Sequence, residues 1–305
     1  MPKQLLVLAC VFAAVTWGQV RALQTRDLTR LSQVQVAAQL KKSDVIFVPV
    51  GAVETNGIQP SGRDYVTPLA YSMAMAEDTG GLFMQGLMWS FPGTTAVASA
   101  TVNNSPQEGT RFLKNLAYSL LRQGFQRQVY VTASHGPAAL TVGTLAREFF
   151  EETRVPILYI NMDTYLPRLQ LKDEERNRSL YGSHYITGRI VDLALKGEYG
   201  EAELHPTAPP PENRGLATLG KLGFSGSLSL GSWINDTMAH GGGGTTQLPA
   251  TAAEREQWGR DGQRQIEAIV KRMRMNEAME ALREHDRYTQ EVVVPRLGKT
   301  VPGAR

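Results

Sequence analysis

Apolar residues fall along this chain in short unbroken runs separated by longer amphipathic stretches. Val45-Ile46-Phe47-Val48-Pro49-Val50, ending at Gly51, shows no polar alternation, as expected of a strand buried on both faces of a parallel sheet. Leu82 to Trp89, interrupted by Gly86, reads as a second strand, Gln128 to Thr132 as a third and Pro156 to Ile160 as a fourth. Helical spacing places Leu28, Leu31, Val34, Ala37 and Leu40 on one face of a stretch from Asp27 to Lys42. Ser105-Pro106-Gln107-Glu108 is a helix start, with Ser105 as cap, Pro106 at the first helical position and Glu108 completing a capping box. Phe112, Leu113, Leu116 and Leu120 give that helix a buried face, and Gly124 stops it. Ala138 to Thr153 predicts the next helix, and Ala250 to about Arg287 one long charged helix. Tyr288 to Arg305, punctuated by Pro and Gly, reads as an extended tail. The alternation predicts an α/β fold whose mostly parallel central sheet carries helices on both faces.

Composition narrows the classes. The 305 residues are 42% hydrophobic and 20% charged, ordinary for a globular domain. A net charge of +3 without a basic run excludes the concentrated Lys/Arg face that nucleic acid binding needs. Residues 1–22 have the layout of a signal peptide: Lys3, an apolar run from Leu5 to Trp17, then Val20-Arg21-Ala22 at a cleavage site. The run is short of the roughly 20 residues of a membrane-spanning helix, so no membrane attachment is expected after cleavage. An uncleaved anchor, or a lipoprotein held through Cys10, are the competing readings. Cleavage removes Lys3 and Arg21, taking the charge from +3 to +1, and removes Cys10, the single cysteine. A mature chain without cysteine has no disulfide, thiolate nucleophile or cysteine-bound zinc. The expected location is periplasmic or secreted.

Ligands of doubly wound sheets gather at the carboxyl ends of the strands. The first strand leads into Gly51-Ala52-Val53-Glu54-Thr55-Asn56-Gly57, with Asp64 ten residues after Glu54, and the third into Ala133-Ser134-His135-Gly136. Two carboxylates and an imidazole suit Zn²⁺ or Mn²⁺ if the loops converge. A solvated loop glutamate is the plainer alternative. Asp163 stands just after the fourth strand, in the right position for a site residue. His205 and His285 read as surface groups, and Trp89, Trp233 and His240 as pocket or core residues. The glycine run 241–244 lacks the Lys-Ser/Thr pair of a phosphate-binding loop.

The run Val48 to Gly57 resembles the opening motif of the creatininase family, a strand followed by Gly-Ser-x-Glu-x-His-Gly. Asp64 matches the Asp that closes that loop, and Phe91-Pro92-Gly93-Thr94 is similar to the family's Phe-Pro-Gly-Thr segment. Gly124-Phe125, the strand ending at His135-Gly136, Gly182-Ser183-His184 and the stretch from Gly242 to Thr251 follow in family order. The resemblance implies a creatininase-like three-layer αβα fold, an oligomer, and metal-dependent hydrolysis of cyclic or linear amides of small molecules.

Carried over by position, Glu54, Asp64 and His135 match metal ligands, and His184 matches a histidine acting on the leaving nitrogen. Asn56 replaces the family's second-site histidine, and Pro137 and Thr187 stand where relatives have a carboxylate. One divalent ion, Zn or Mn, is therefore expected. Glu54 is a candidate catalytic residue beside His184, and Asn56, Thr94, Trp89, Trp233 and His240 are candidate pocket residues. The expected organisation is a signal peptide over 1–22, a hydrolase domain over 23–287 and the tail over 288–305. A metal-independent hydrolase or lyase using Glu54 or Asp64 with His184, and an inactive small-ligand-binding protein, are the alternatives.

Overall fold

The computed structural model describes residues 23–86, 101–200 and 247–298, apart from 24, 55, 103, 134 and 135, with residues 215, 218, 221 and 222 besides; of 136–139 and 173 it describes the backbone alone. The expected signal peptide, the proline-rich segment from Thr207 to Asn213 and the glycine run lie outside these residues.

Four parallel strands, β1 (Val45–Pro49), β2 (Leu82–Phe83), β3 (Arg127–Thr132) and β4 (Ile157–Asn161), form a sheet in the order β2-β1-β3-β4. The chain runs outward from β1 to β2, then crosses back to β3 and β4, so strand order reverses between β1 and β3. Their carboxyl ends flank the crevice where this topology receives ligands. Alternation within the strands sorts two cores. Val45, Phe47, Val129 and Val131 pack beneath α2 (Arg63–Thr79), α7 (Ala252–Met273) and α8 (Met275–Tyr288). Ile46, Val48 and Tyr130 face α1 (Gln33–Leu40), α3 (Pro106–Gln123) and α4 (Gly136–Thr153). Helix, sheet and helix make the three expected layers.

Local chemistry sets the boundaries. The first helix begins at Gln33 rather than Asp27, because Ser32 and Gln35 close a reciprocal capping box; Leu28–Arg30 is a separate tight turn capped by Asp27. Ser105 accepts from the Glu108 amide and Gly124 ends α3 at φ 105°, as the sequence predicts. Phe112 is exposed instead of buried, because the stripe that meets the sheet runs through Leu113, Ala117 and Leu120. The second strand is shorter than predicted: Gly86 takes φ 99° and its amide donates to Tyr65 Oη at 2.7 Å, turning the chain from the sheet.

The charged C-terminal helix is two helices. Arg274 adopts φ 53°, ψ 47°, and the turn carries Met275 and Met279 into the core beside α2. The tail is helical, not extended, through Leu297. Pro295 follows the π-helical turn Thr289–Val293, and Gln290 Nε2 ties the segment to the Arg154 carbonyl. Two four-residue or longer helices after β4, α5 (Met162–Tyr165) and α6 (Asp173–Ile186), complete the described frame. Helices α6 and α7 touch at their backbones: a Cβ on Gly262 would lie 1.9 Å from the Arg178 carbonyl oxygen and 2.5 Å from the Gly182 nitrogen. Among the described residues no helix is long and apolar enough to cross a membrane.

Candidate active site

The carboxyl end of β1 runs straight into the loop that carries the acids. Val50 N donates to Val131 O at 2.8 Å, continuing the ladder with β3 one residue further. Gly51 follows, and only a residue without Cβ fits there: an added Cβ would lie 2.5 Å from Tyr65 Cα and 2.9 Å from the Asp64 carbonyl oxygen. The start of α2 is therefore pressed against the strand exit. Between them the chain makes a tight turn, with Gln59 N donating to Asn56 O and Glu54 N to Ser61 O, each at 3.0 Å, and Gly57 at φ 61°. Asn56 is buried and its amide nitrogen donates to the Glu54 carbonyl at 3.2 Å. Its side chain braces the loop.

This path brings the Glu54 and Asp64 side chains into a hydrogen bond with each other. Two carboxyl groups can bond only through a proton, and Asp64 holds it well above the usual carboxylate range. Burial is the largest cause, followed by the hydrogen bond and negative charge of Glu54; Arg63 opposes, and Asp163 adds to the rise. Asp163 reaches this place from the end of β4, where Asn161 caps α5 by accepting from the Asp163 amide at 3.0 Å. Enclosed like-charged oxygens held by one proton fit a divalent cation, which would take the proton's place. Among the described residues no third histidine or acid completes a ligand set around one point. His135 lies outside them, as do Trp89, Thr94, Trp233 and His240.

His184 lies on α6, fully buried. Its Nδ1 faces the Arg189 carbonyl at 3.3 Å, while Nε2 has no hydrogen-bond partner among the described residues. Burial pushes its pKa down to about 4; the Arg189 carbonyl and Asp192 resist, whereas the Arg189 and Arg63 charges lower it further. The ring is neutral at pH 7, with the proton on Nδ1 if that atom donates to the carbonyl, and Nε2 left as an acceptor. Arg63 acts on both Asp64 and His184 and so links the two halves of the site. Neither Arg63 nor Arg189 stood out in the sequence, although Arg63 immediately precedes Asp64.

Fold and site define a doubly wound parallel α/β protein with a buried carboxyl pair at its switch point. The creatininase family model, described as creatinine amidohydrolase, matches residues 29–184, just over half of the chain, and the chain belongs to the creatininase family. Among solved structures, a tryptophan-to-phenylalanine mutant creatininase shares 16% identity at a TM-score of 0.53, over 82% of this chain and 99% of that one. A mutant creatininase of Zn–Zn type (16%, 0.51) and a creatininase designated Mn (14%, 0.51) cover the same shares. At these identities the likeness establishes the fold. No curated protein sequence matches the chain.

Proposed function

We propose that this protein is an exported, metal-dependent amidohydrolase that cleaves a C–N amide bond, cyclic or linear, in a small molecule. The observation that carries the reading is the Glu54–Asp64 carboxyl pair at the end of β1, within a family named for creatinine amidohydrolase. Zn–Zn and Mn forms among the similar folds favour a divalent metal, and one such ion, Zn²⁺ or Mn²⁺, would be held by Glu54, Asp64 and His135. Asn56 argues for a single ion: its amide nitrogen is engaged by the Glu54 carbonyl and supplies no imidazole. Export rests on the character of residues 1–22, and a homo-oligomer on the family resemblance.

When bound, the ion lowers the pKa of a water and polarises the substrate carbonyl. The chain's own residues do the rest. Glu54 and Asp64 would hold the ion as carboxylates, the proton on Asp64 passing to solvent as the ion binds. The neutral His184 begins as an acceptor: Nε2 takes a proton as water attacks, then delivers it to the departing nitrogen. His184 is thus a shuttle, and its low pKa favours the delivery step.

The shared proton also supports a second reading, in which Asp64 is itself the acid of a metal-independent hydrolysis. Metal analysis of the purified protein, joined to a screen of amides and lactams, separates the two. Stoichiometric Zn²⁺ or Mn²⁺ with activity lost on chelation is expected. Turnover that survives chelation would select the second reading, and ligand binding without any turnover would point to a binding protein.

A further inference from the structure

Two arginines stand near the acid pair, Arg63 through its charge on Asp64 and Arg189 through its reach to the start of α2. Arg63 opens α2, directly before Asp64, and is half-buried. Arg189 arrives from the other side of the site. The chain leaving α6 folds back, with Arg189 N donating to His184 O at 2.6 Å and His184 Nδ1 facing Arg189 O. Its guanidinium then reaches the start of α2, where a Cβ built on Gly62 would lie 3.9 Å from Arg189 Nη1. Arg189 is also half-buried, and its charge is felt at Tyr65, one turn into the same helix. Among the described residues neither guanidinium lies in an ion pair or donates a side-chain hydrogen bond. Other arginines of this chain do find acids, as Arg26 finds Glu77 and Arg127 finds Asp44. Partly desolvated guanidiniums with open donor forks are the groups proteins use to hold carboxylates.

We infer that Arg63 and Arg189 recognise a carboxylate carried by the substrate, so that the amide cleaved belongs to an acidic molecule, such as an N-acyl amino acid or a lactam acid. This deepens the amidohydrolase reading and rests on it. The position suits the role: Arg63 directly precedes a proposed metal ligand, and Arg189, whose carbonyl faces His184 Nδ1, reaches the start of the same helix, so an anchored carboxylate would lie beside the proposed site. Uncharged amides lose that anchor. The acid Glu54–Asp64 pair repels a free carboxylate, which gives the two arginines a second use, offsetting that repulsion.

The test uses the full-length protein with Zn²⁺ or Mn²⁺ and three matched pairs: N-acetylglycine, N-formylglycine and pyroglutamate, each beside its carboxamide. Calorimetric binding and hydrolysis are both read, and melting temperatures check that variants fold. The acids should bind on the order of tenfold or more tightly than their amides. Arg63→Gln and Arg189→Gln should each shrink that ratio, chiefly through KM, and Arg63→Lys should restore part of it. Equal affinity for acid and amide, binding of neither member of any pair, or a ratio unmoved in both glutamine variants would overturn the inference. Acid-selective binding with no turnover would keep the inference and sink the hydrolase reading instead; turnover without acid preference would do the reverse.

Discussion

Replacing Gly262 with alanine probes how α6 is held, and with it the placement of His184. In an open helix the change would stabilise by up to about 1 kcal/mol through backbone entropy. Here the new Cβ would stand 1.9 Å from the Arg178 carbonyl oxygen, 2.5 Å from the Gly182 nitrogen and 2.7 Å from Gly182 Cα. All three are backbone atoms, so no side chain can swing aside, and the helices must part by about an ångström or more to reach ordinary van der Waals contact. Separation would also loosen the packing nearby, where Tyr181 meets Trp258 edge-on at 5.1 Å and Arg178 lies 3.9 Å over the same indole. Overpacking in a core costs roughly 1–3 kcal/mol, and a backbone-to-backbone clash belongs at the top of that range. Net destabilisation of about 3 kcal/mol is expected in urea unfolding followed by circular dichroism. Gly143→Ala is the control: it lies in α4 and an added Cβ meets nothing within 4 Å, so it should gain about 0.5–1 kcal/mol. A Gly262→Ala protein as stable as the parent, or equal losses at both positions, would refute the reasoning.

Other outcomes follow from the site. Gly51→Ala should push the start of α2 from the strand exit, weakening Zn²⁺ or Mn²⁺ affinity on the order of tenfold in equilibrium dialysis, because Asp64 moves with Tyr65. His135→Ala should abolish metal retention and lower turnover on the order of a thousandfold, checked by metal analysis and the amide screen. His184 has a folded pKa near 4, below its ordinary 6.5, so its contribution is present above pH 6.5 and is lost as pH falls towards 4. Relative to His184→Gln, the parent should therefore lose about 3 kcal/mol of stability between pH 7 and pH 4; parallel stability curves would contradict the burial of this ring.

The parts of the fold that were legible are those whose signal is local. The unbroken run at β1, the cap at Ser105 and the stop at Gly124 each act through neighbouring residues, and each stands where the sequence puts it. Glu54 and Asp64 were legible as a pair because one loop carries both. The break at Arg274 was not: no Gly or Pro marks it, and the left-handed residue is held by where Met275 and Met279 pack. The helical tail was misread for a related reason, since Pro295 reads as a breaker, whereas here the helix runs on to it through the wide turn Thr289–Val293. Asp163 was legible by its place just after β4, whereas Arg189 joins the site through the fold-back after α6, which no spacing along the chain reveals.

The acid pair is assembled within a single short stretch, from the exit of β1 to the opening of α2. Its geometry is dictated by chain neighbours and by one missing side chain, so it does not depend on distant segments arriving correctly. The proposed carboxylate anchor, by contrast, also needs Arg189, which arrives from beyond α6. A substitution after α6 would therefore alter that anchor while leaving the shape of the acid pair in place.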